Sequence, residues 1–302
     1  MSFDDLPPLY LLPFPIKRPA ARWYGGKWLL GRWIASYFSE HKTYAEPFGG
    51  MWSVGLQKLP SSVEVYNDLN PRACNFWRQL RDHSEKLIPT IEQTTFKKSL
   101  FAQSLIPSTD LLEDALRFYA HCLLSYPGGG VGNCGTSTTR LLRPECHDHR
   151  HLWAIASRIK HLEIYNQEAF EIIQHFDRPD TLFYVDPCYL PQTKNSHTSY
   201  LYEMTEAQHI ELAQSLNSIS GMAIVSGYPS ELYSELYSNW LLVEREIHTT
   251  GKKKGLECLW IKPNQSQRSH YMSNNSNYIV KKSAPPMTFE PNRKQFNQLS
   301  LF

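Results

Sequence analysis

Thr43-Tyr44-Ala45-Glu46-Pro47-Phe48-Gly49-Gly50-Met51-Trp52-Ser53-Val54 is a short strand that ends in an acid, followed by a glycine turn leading into a helix. A doubly wound αβ sheet places its cofactor loop at such a turn. A second strand, Val63-Glu64-Val65-Tyr66, ends at Asn67-Asp68, and Asp68 lies 19 residues beyond Gly49. An acid at the tip of the second strand, about 20 residues past the glycine turn, is the usual ligand for ribose hydroxyls. The turn is not GxGxxG, and no basic group is placed for a pyrophosphate, which points to a nucleoside cofactor without phosphates.

Working outward, the αβ alternation returns in the second half. Strand 162–165, helix 168–176, strand 181–185, helix 205–219, strand 222–226 and helix 229–237 follow one another. Strands 241–248 and 256–261, joined by Thr249-Thr250-Gly251-Lys252-Lys253-Lys254-Gly255, form a hairpin, so this end of the sheet is antiparallel. The lysines at its tip are solvated or reach a phosphate backbone. Strand 181–185 runs into Asp186-Pro187-Cys188-Tyr189, a carboxylate, a proline carbonyl and an aromatic ring within four residues. Those groups suit a flat nitrogenous base, although an Asp-Pro turn is also ordinary punctuation after a buried strand.

On the amino-terminal side, residues 21–38 join a Gly-Gly turn to an amphipathic helix in which Leu29, Leu30, Trp33, Ile34, Tyr37 and Phe38 recur at helical spacing. Lys27 falls near the helix start, where a cation opposes the dipole, so it is either solvated or paired with a local anion. Pro71 to His83 is a helix with proline in its first turn. Residues 90–110 are polar, 111–125 are helical, and 127–143, PGGGVGNCGTSTTRLLR, are rich in glycine, hydroxyls and basic residues. This stretch is expected to be an inserted, mainly helical module with a mobile loop, in which Arg140 and Arg143 contact phosphates or guanine edges or simply face water.

Composition sets further bounds. An apolar fraction of 41% in 302 residues supports a real core, and the proline-broken, acidic start is expected to be neither a signal peptide nor a membrane span. A cytoplasmic protein is expected. The six cysteines lack CxxC spacing, so reduced thiols are expected. Cys134, Cys146, His147, His149 and His151 lack metal-ligand spacing, and no metal is expected. The net charge of +2 decides nothing, because a nucleic-acid enzyme needs a local basic face. From Pro263 onward the chain is polar and aperiodic and should be disordered, ending in the apolar Gln298-Leu299-Ser300-Leu301-Phe302.

Over most of residues 21–262 the chain resembles the Dam-like adenine-N6 DNA methyltransferases, whose motifs run cofactor loop, target-recognition insert, catalytic DPPY. WYGGK (23–27) resembles their amino-terminal cofactor motif and EPFGG (46–50) with Ser53-Val54 their EPFxGxxSV loop. YNDLN (66–70) is similar to their ribose-binding stretch, and DPCY (186–189) to DPPY. Glu203-Met204-Thr205, Ser226-Gly227-Tyr228 and Glu257-Cys258-Leu259-Trp260 add to the likeness. The resemblance implies a Rossmann-like, doubly wound S-adenosylmethionine-dependent methyltransferase sheet with an antiparallel terminal hairpin. Its catalytic domain would span residues 1–85 and 155–263, with a target-recognition module at 86–154 and a tail at 264–302.

The resemblance also implies the site. Trp23, Tyr24, Gly25 and Lys27 belong to the first cofactor motif, with Lys27 toward the cofactor carboxylate. Glu46, Pro47, Phe48, Gly49 and Gly50 form the cofactor loop, Asp68 meets the ribose, and Glu168 lies near the adenine ring. Asp186, Pro187 and Tyr189 are the implied catalytic residues. An exocyclic amine conjugated into a purine is a poor nucleophile, because its lone pair is delocalised. Hydrogen bonds from the amine to the Asp186 carboxylate and the Pro187 carbonyl favour a pyramidal nitrogen, while Tyr189 stacks on a base flipped from double-stranded DNA.

Cys188 departs from the family's second proline, which frees one φ angle and adds an N–H. A cytosine-N4 methyltransferase and a noncatalytic DNA- or clamp-binding protein that keeps the fold stay open as alternatives. QLSLF resembles the QLxLF pentapeptide that binds the bacterial sliding clamp, implying contacts from Gln298, Leu299, Leu301 and Phe302. A tether of about 35 residues reaches roughly 30–35 Å. The expected protein is a monomer in a bacterial or phage-infected cell, associated with the nucleoid.

Overall fold

The computed structural model describes residues 16–132, 135, 136, 141, 147–190, 200–248 and 254–262. Runs of β-branched and aromatic residues form five parallel strands: β1 (Thr43–Glu46), β2 (Val63–Asn67), β3 (Glu163–Tyr165), β4 (Thr181–Val185) and β5 (Met222–Gly227). Every residue of β4 and β5 is buried, as a parallel strand covered on both faces requires. The hairpin strands β6 (Leu241–His248) and β7 (Lys254–Lys262) complete a seven-stranded sheet in the order β3-β2-β1-β4-β5-β7-β6, with β7 antiparallel to both neighbours. After β1 the chain winds outward through β2 and β3, then returns to lay β4 against the other side of β1. The crevice beyond the carboxyl ends of β1 and β4 is therefore the topological switch point, where such sheets bind ligands.

Period-2 alternation sorts the sheet's side chains into two cores. Tyr44, Tyr66, Leu182, Tyr184, Ile224, Leu259 and Ile261 face α1 (Gly31–Ala35), α2 (Pro71–Asp82), α3 (Ser84–Gln93), α4 (Lys98–Ser104), α5 (Leu111–Leu124) and α6 (His151–Arg158). Ala45, Val65, Phe183, Val185, Val225, Cys258 and Trp260 face α7 (Ala169–Phe176), α8 (Glu206–Ser218) and α9 (Glu231–Leu236). Local chemistry sets the helix starts. Asn70 caps α2 by accepting the Arg72 N–H at 3.0 Å ahead of Pro71, and Thr205 and Gln208 form a reciprocal capping box on α8.

Several elements differ from expectation. The helix expected within 21–38 is reduced to α1, which has no side-chain cap, and Leu29 is 78% exposed. The glycine turn after β1 leads into turns and a single 3₁₀ turn at Gly55–Gln57 instead of an α-helix, because Trp52 takes a left-handed backbone (φ 45°) that a helix cannot continue through. The stretch 90–110, read from the sequence only as polar, contains the end of α3 and all of α4. Pro89 sits inside α3, a helix that the sequence reading did not include. Among the described residues, no helix is long and apolar enough to cross a membrane.

Phe76 on α2 stacks on Tyr119 of α5 with centroids 5.7 Å apart and planes within 12°, so α2 and α5 share one apolar cluster with the sheet. Phe76→Ala should cost about 3–5 kcal/mol, read as a lower urea midpoint at unchanged slope. A loss below about 1 kcal/mol would mean that this contact does not join the two helices.

Candidate active site

The strand tips at the switch point are tied together by β2. The Asn67 side chain donates to the carbonyls of Pro47 (2.9 Å) and Gln167 (3.0 Å) and accepts the Gln167 N–H (2.9 Å), fastening the ends of β1 and β3 to its own strand. The glycine turn is held as tightly. Gly49 N–H donates to the Asn67 carbonyl at 2.7 Å, and the Gly50 carbonyl accepts from the Tyr66 hydroxyl and the Trp77 indole, each at 3.0 Å. A Cβ on Gly49 would lie 2.3 Å from the Tyr66 ring, and Gly50 has a positive φ of 48°, so both positions require glycine.

Asp68 cross-links this turn to the start of α2, its carboxylate accepting the N–H groups of Gly50 and Asn70 at 2.8 Å each. Burial pushes its pKa up, and those two donors pull it back without reversing the shift. An ionised carboxylate has about four acceptor sites, so Asp68 keeps capacity for a diol.

One pocket opens at this edge. Its wall gathers the 23–27 turn, the 46–50 loop, Asp68, Glu168 and Phe170, and the segment from Asp186 to Cys188. Its roof joins three chain segments: Tyr24 N–H donates to the Gly129 carbonyl (3.0 Å), Gly129 N–H to that of Arg22 (3.0 Å), and Leu201 N–H to that of Gly130 (2.9 Å). The Cys188 thiol adds a bond to the Tyr202 carbonyl at 2.9 Å, pinning the turn that lacks a second proline.

Among the described residues, Lys27 is the only cation lining the pocket, and its ammonium is fully engaged. It is 5% exposed and donates to both oxygens of Asp186 (2.8 and 2.9 Å) and to the Gly25 carbonyl (3.0 Å). Burial opposes its charge, but Asp186 and then Glu257 outweigh that cost and hold its pKa above the ordinary lysine value. Asp186 is shifted upward by burial, partly offset by Lys27. Among the described residues, a carboxylate with open acceptor sites, the Phe48 and Phe170 rings and no cation beyond the paired Lys27 make a lining that fits a nucleoside without phosphates.

The sequence profile of the D12 class N6 adenine-specific DNA methyltransferases matches residues 23–254. The chain belongs to that family. Adenine-specific methylation of DNA is accordingly its activity, and methyl transfer in such enzymes is S-adenosylmethionine chemistry in general. No curated protein sequence matches the chain.

In this methyltransferase the residues singled out from the sequence come together unevenly. Trp23, Tyr24, Gly25, Lys27, Glu46, Pro47, Phe48, Gly49, Gly50, Asp68, Glu168, Asp186 and Pro187 all line the pocket. Glu168 stands exposed at the N-cap of α7 without capping it. Tyr189 lies behind that wall, 8% exposed, with its ring 4.4 Å from that of Tyr228. Arg140, Arg143, Cys134, Cys146, the hairpin-tip lysines 252–253 and the 298–302 pentapeptide fall outside the described residues. His149 is buried against Tyr119, bonded to its hydroxyl at 2.9 Å. Sequence reasoning missed Asn67 as the clamp of three strand tips and Phe170 on the pocket wall. The only available signals were a polar residue inside a buried strand end and an aromatic at a helix start.

Glu46 also faces the pocket but is spent on the fold, accepting from the Tyr44 hydroxyl (2.7 Å) and Gly55 N–H (2.8 Å). Burial pushes its pKa up to about 8. A carboxyl raised in the folded state contributes stability that is full below its unfolded pKa of about 4.5 and is lost as pH rises toward 8. Glu46→Gln cannot titrate, so its melting temperature should fall less between pH 5 and 8 than that of the parent. Parallel Tm–pH curves would refute the assignment.

Proposed function

We propose that the chain transfers the methyl group of S-adenosylmethionine to the N6 amine of an adenine flipped out of double-stranded DNA at a specific site. The observation that carries this reading is the position of Asp186. Its carboxylate closes one wall of the pocket that Asp68 borders from the other strand tip, so an acceptor for an amine and an acceptor for a ribose share one cavity. The bound cofactor supplies a methyl group activated on a sulfonium. The protein's part is placement. Asp186, held ionised by Lys27, and the Pro187 carbonyl accept the amine's hydrogens and direct its lone pair, and Tyr189 offers its ring to the base. Asp68 takes the ribose hydroxyls, Phe48, Gly49 and Gly50 border the methionine side, and Glu168 lies toward the adenine ring of the cofactor.

Lys27 is assigned here chiefly to Asp186, since all three of its donors are in use. Meeting a cofactor carboxylate as well would draw one of them away. Residues 86–154 are proposed to read the DNA, with Arg140 and Arg143 on its backbone or guanine edges. Residues 298–302 are proposed to hold a monomeric enzyme to the bacterial sliding clamp at about millimolar effective concentration, near replicating DNA in the nucleoid.

Asp186→Ala should abolish methyl transfer, a loss of at least about 1000-fold, with cofactor binding by calorimetry kept within about threefold. N6-methyladenine must be the product in the digested DNA, and N4-methylcytosine or retained activity would overturn the reading. Deleting residues 298–302 should remove clamp binding in a pull-down yet leave methylation of short duplexes unchanged. Equal clamp affinity with and without them would remove that part.

A further inference from the structure

Strand β7 is antiparallel to β5, so its earlier residues reach the edge where the parallel strands end. Gly227, the last residue of β5, pairs with Cys258, which places Glu257 just beyond that edge beside the Asp186 turn. By alternation Glu257 faces the same side as Leu259 and Ile261, where the pattern calls for an aliphatic residue, and it is 1% exposed. Replacing buried ionic groups by well-packed apolar ones is often neutral or stabilising, so folding alone does not account for a carboxylate at this position. Its partners belong to the site. The Tyr189 hydroxyl donates to it at 3.1 and 3.3 Å, and the Lys27 ammonium stands 3.8 Å from Oε1 and 4.8 Å from the centre of the Tyr189 ring.

We infer that Glu257, beyond the residues that match the family profile, is a positioning residue for methyl transfer, fixing the Tyr189 ring through its hydroxyl and competing with Asp186 for Lys27. The inference rests on the catalytic roles proposed for Asp186 and Tyr189. Burial, eased by Lys27, raises the Glu257 carboxyl to about 7. The other groups that act on it are Asp186, Tyr184, Tyr228 and the Ser226 hydroxyl. Arg245, its cross-strand partner on β6, instead lays its guanidinium over the Trp33 ring at 5.3 Å. When Glu257 is neutral, Lys27 belongs wholly to Asp186. When it ionises, it shares Lys27, which still keeps Asp186 charged but loosens one of its two hydrogen bonds to the ammonium and frees that oxygen's lone pair for the adenine amine, so turnover rises with pH through about 7.

Glu257→Gln keeps the shape and locks the neutral form. At pH 8 its kcat should fall about tenfold, the worth of one charge-assisted hydrogen bond, with the cofactor KM within about twofold and a Tm no lower than the parent's, since glutamine removes the cost of a buried charge. At pH 6 it should converge on the parent, which a purely structural defect would not do. Tyr189→Phe reads the same bond from its other end, and the double variant should be no slower at pH 8 than the slower single one. A kcat within twofold of the parent at pH 8 for either single variant, an equal deficit at pH 6 and 8, or additive losses would overturn the inference. Asp186→Ala, assayed alongside, keeps the two ideas apart: if it is inactive while Glu257→Gln is unaffected, only the role of Glu257 fails.

Discussion

One ammonium stands between a buried carboxylate, Glu257, and a half-buried one, Asp186. Lys27 compensates Asp186 at contact distance and Glu257 at 3.8 Å, in a place where burial penalises all three charges. Without the lysine, either acid would be forced toward its neutral form, and a neutral Asp186 is a poor acceptor for an amine. The three groups come from regions far apart in sequence. Lys27 lies in the first turn, Asp186 follows the central strand, and Glu257 is on the last strand, so the pair and its competitor form only when the sheet is complete. Folding and the electrostatics of the site are therefore a single event.

The β2 tip does a second job at the same edge. Asn67 and Asp68 spend side-chain hydrogen bonds on backbone groups of neighbouring segments, at distances of 2.8–3.0 Å. A carboxylate that fastens the glycine turn while keeping free lone pairs is already oriented before any ligand arrives, and less ordering is left for binding to pay in entropy. Gly49 permits this closeness, because any Cβ there would strike the Tyr66 ring.

Much of this was legible in the chain. Continuous β-branched and aromatic runs gave the buried strands β4 and β5 nearly to the residue, and the glycine-flanked lysines gave the antiparallel hairpin. Four separated stretches, around Lys27, Gly49, Asp68 and Asp186, are expected from the sequence to share one site, and they line one pocket. What failed was local. The glycine turn after β1 predicts a helix, but the left-handed Trp52 is set by tertiary packing that no periodicity records. Leu29 fitted a helical stripe yet points to solvent, because α1 is too short to carry the pattern forward. Glu257 was visible only as part of a motif, since its partners are 68 and 230 residues away in sequence and its meaning depends on the strand's direction.

That direction has a mechanical consequence. Because β7 runs against the parallel strands, it passes Glu257 at the reaction edge and ends at the opposite one, where Lys262 pairs with Ala223 and its ammonium donates to the Leu216, Asn217 and Ile219 carbonyls at 2.8–2.9 Å. The chain thus leaves the sheet from its back. A load applied at Lys262 is borne first by that knot of three carbonyls and by the ladder to β5, at the edge opposite the pocket.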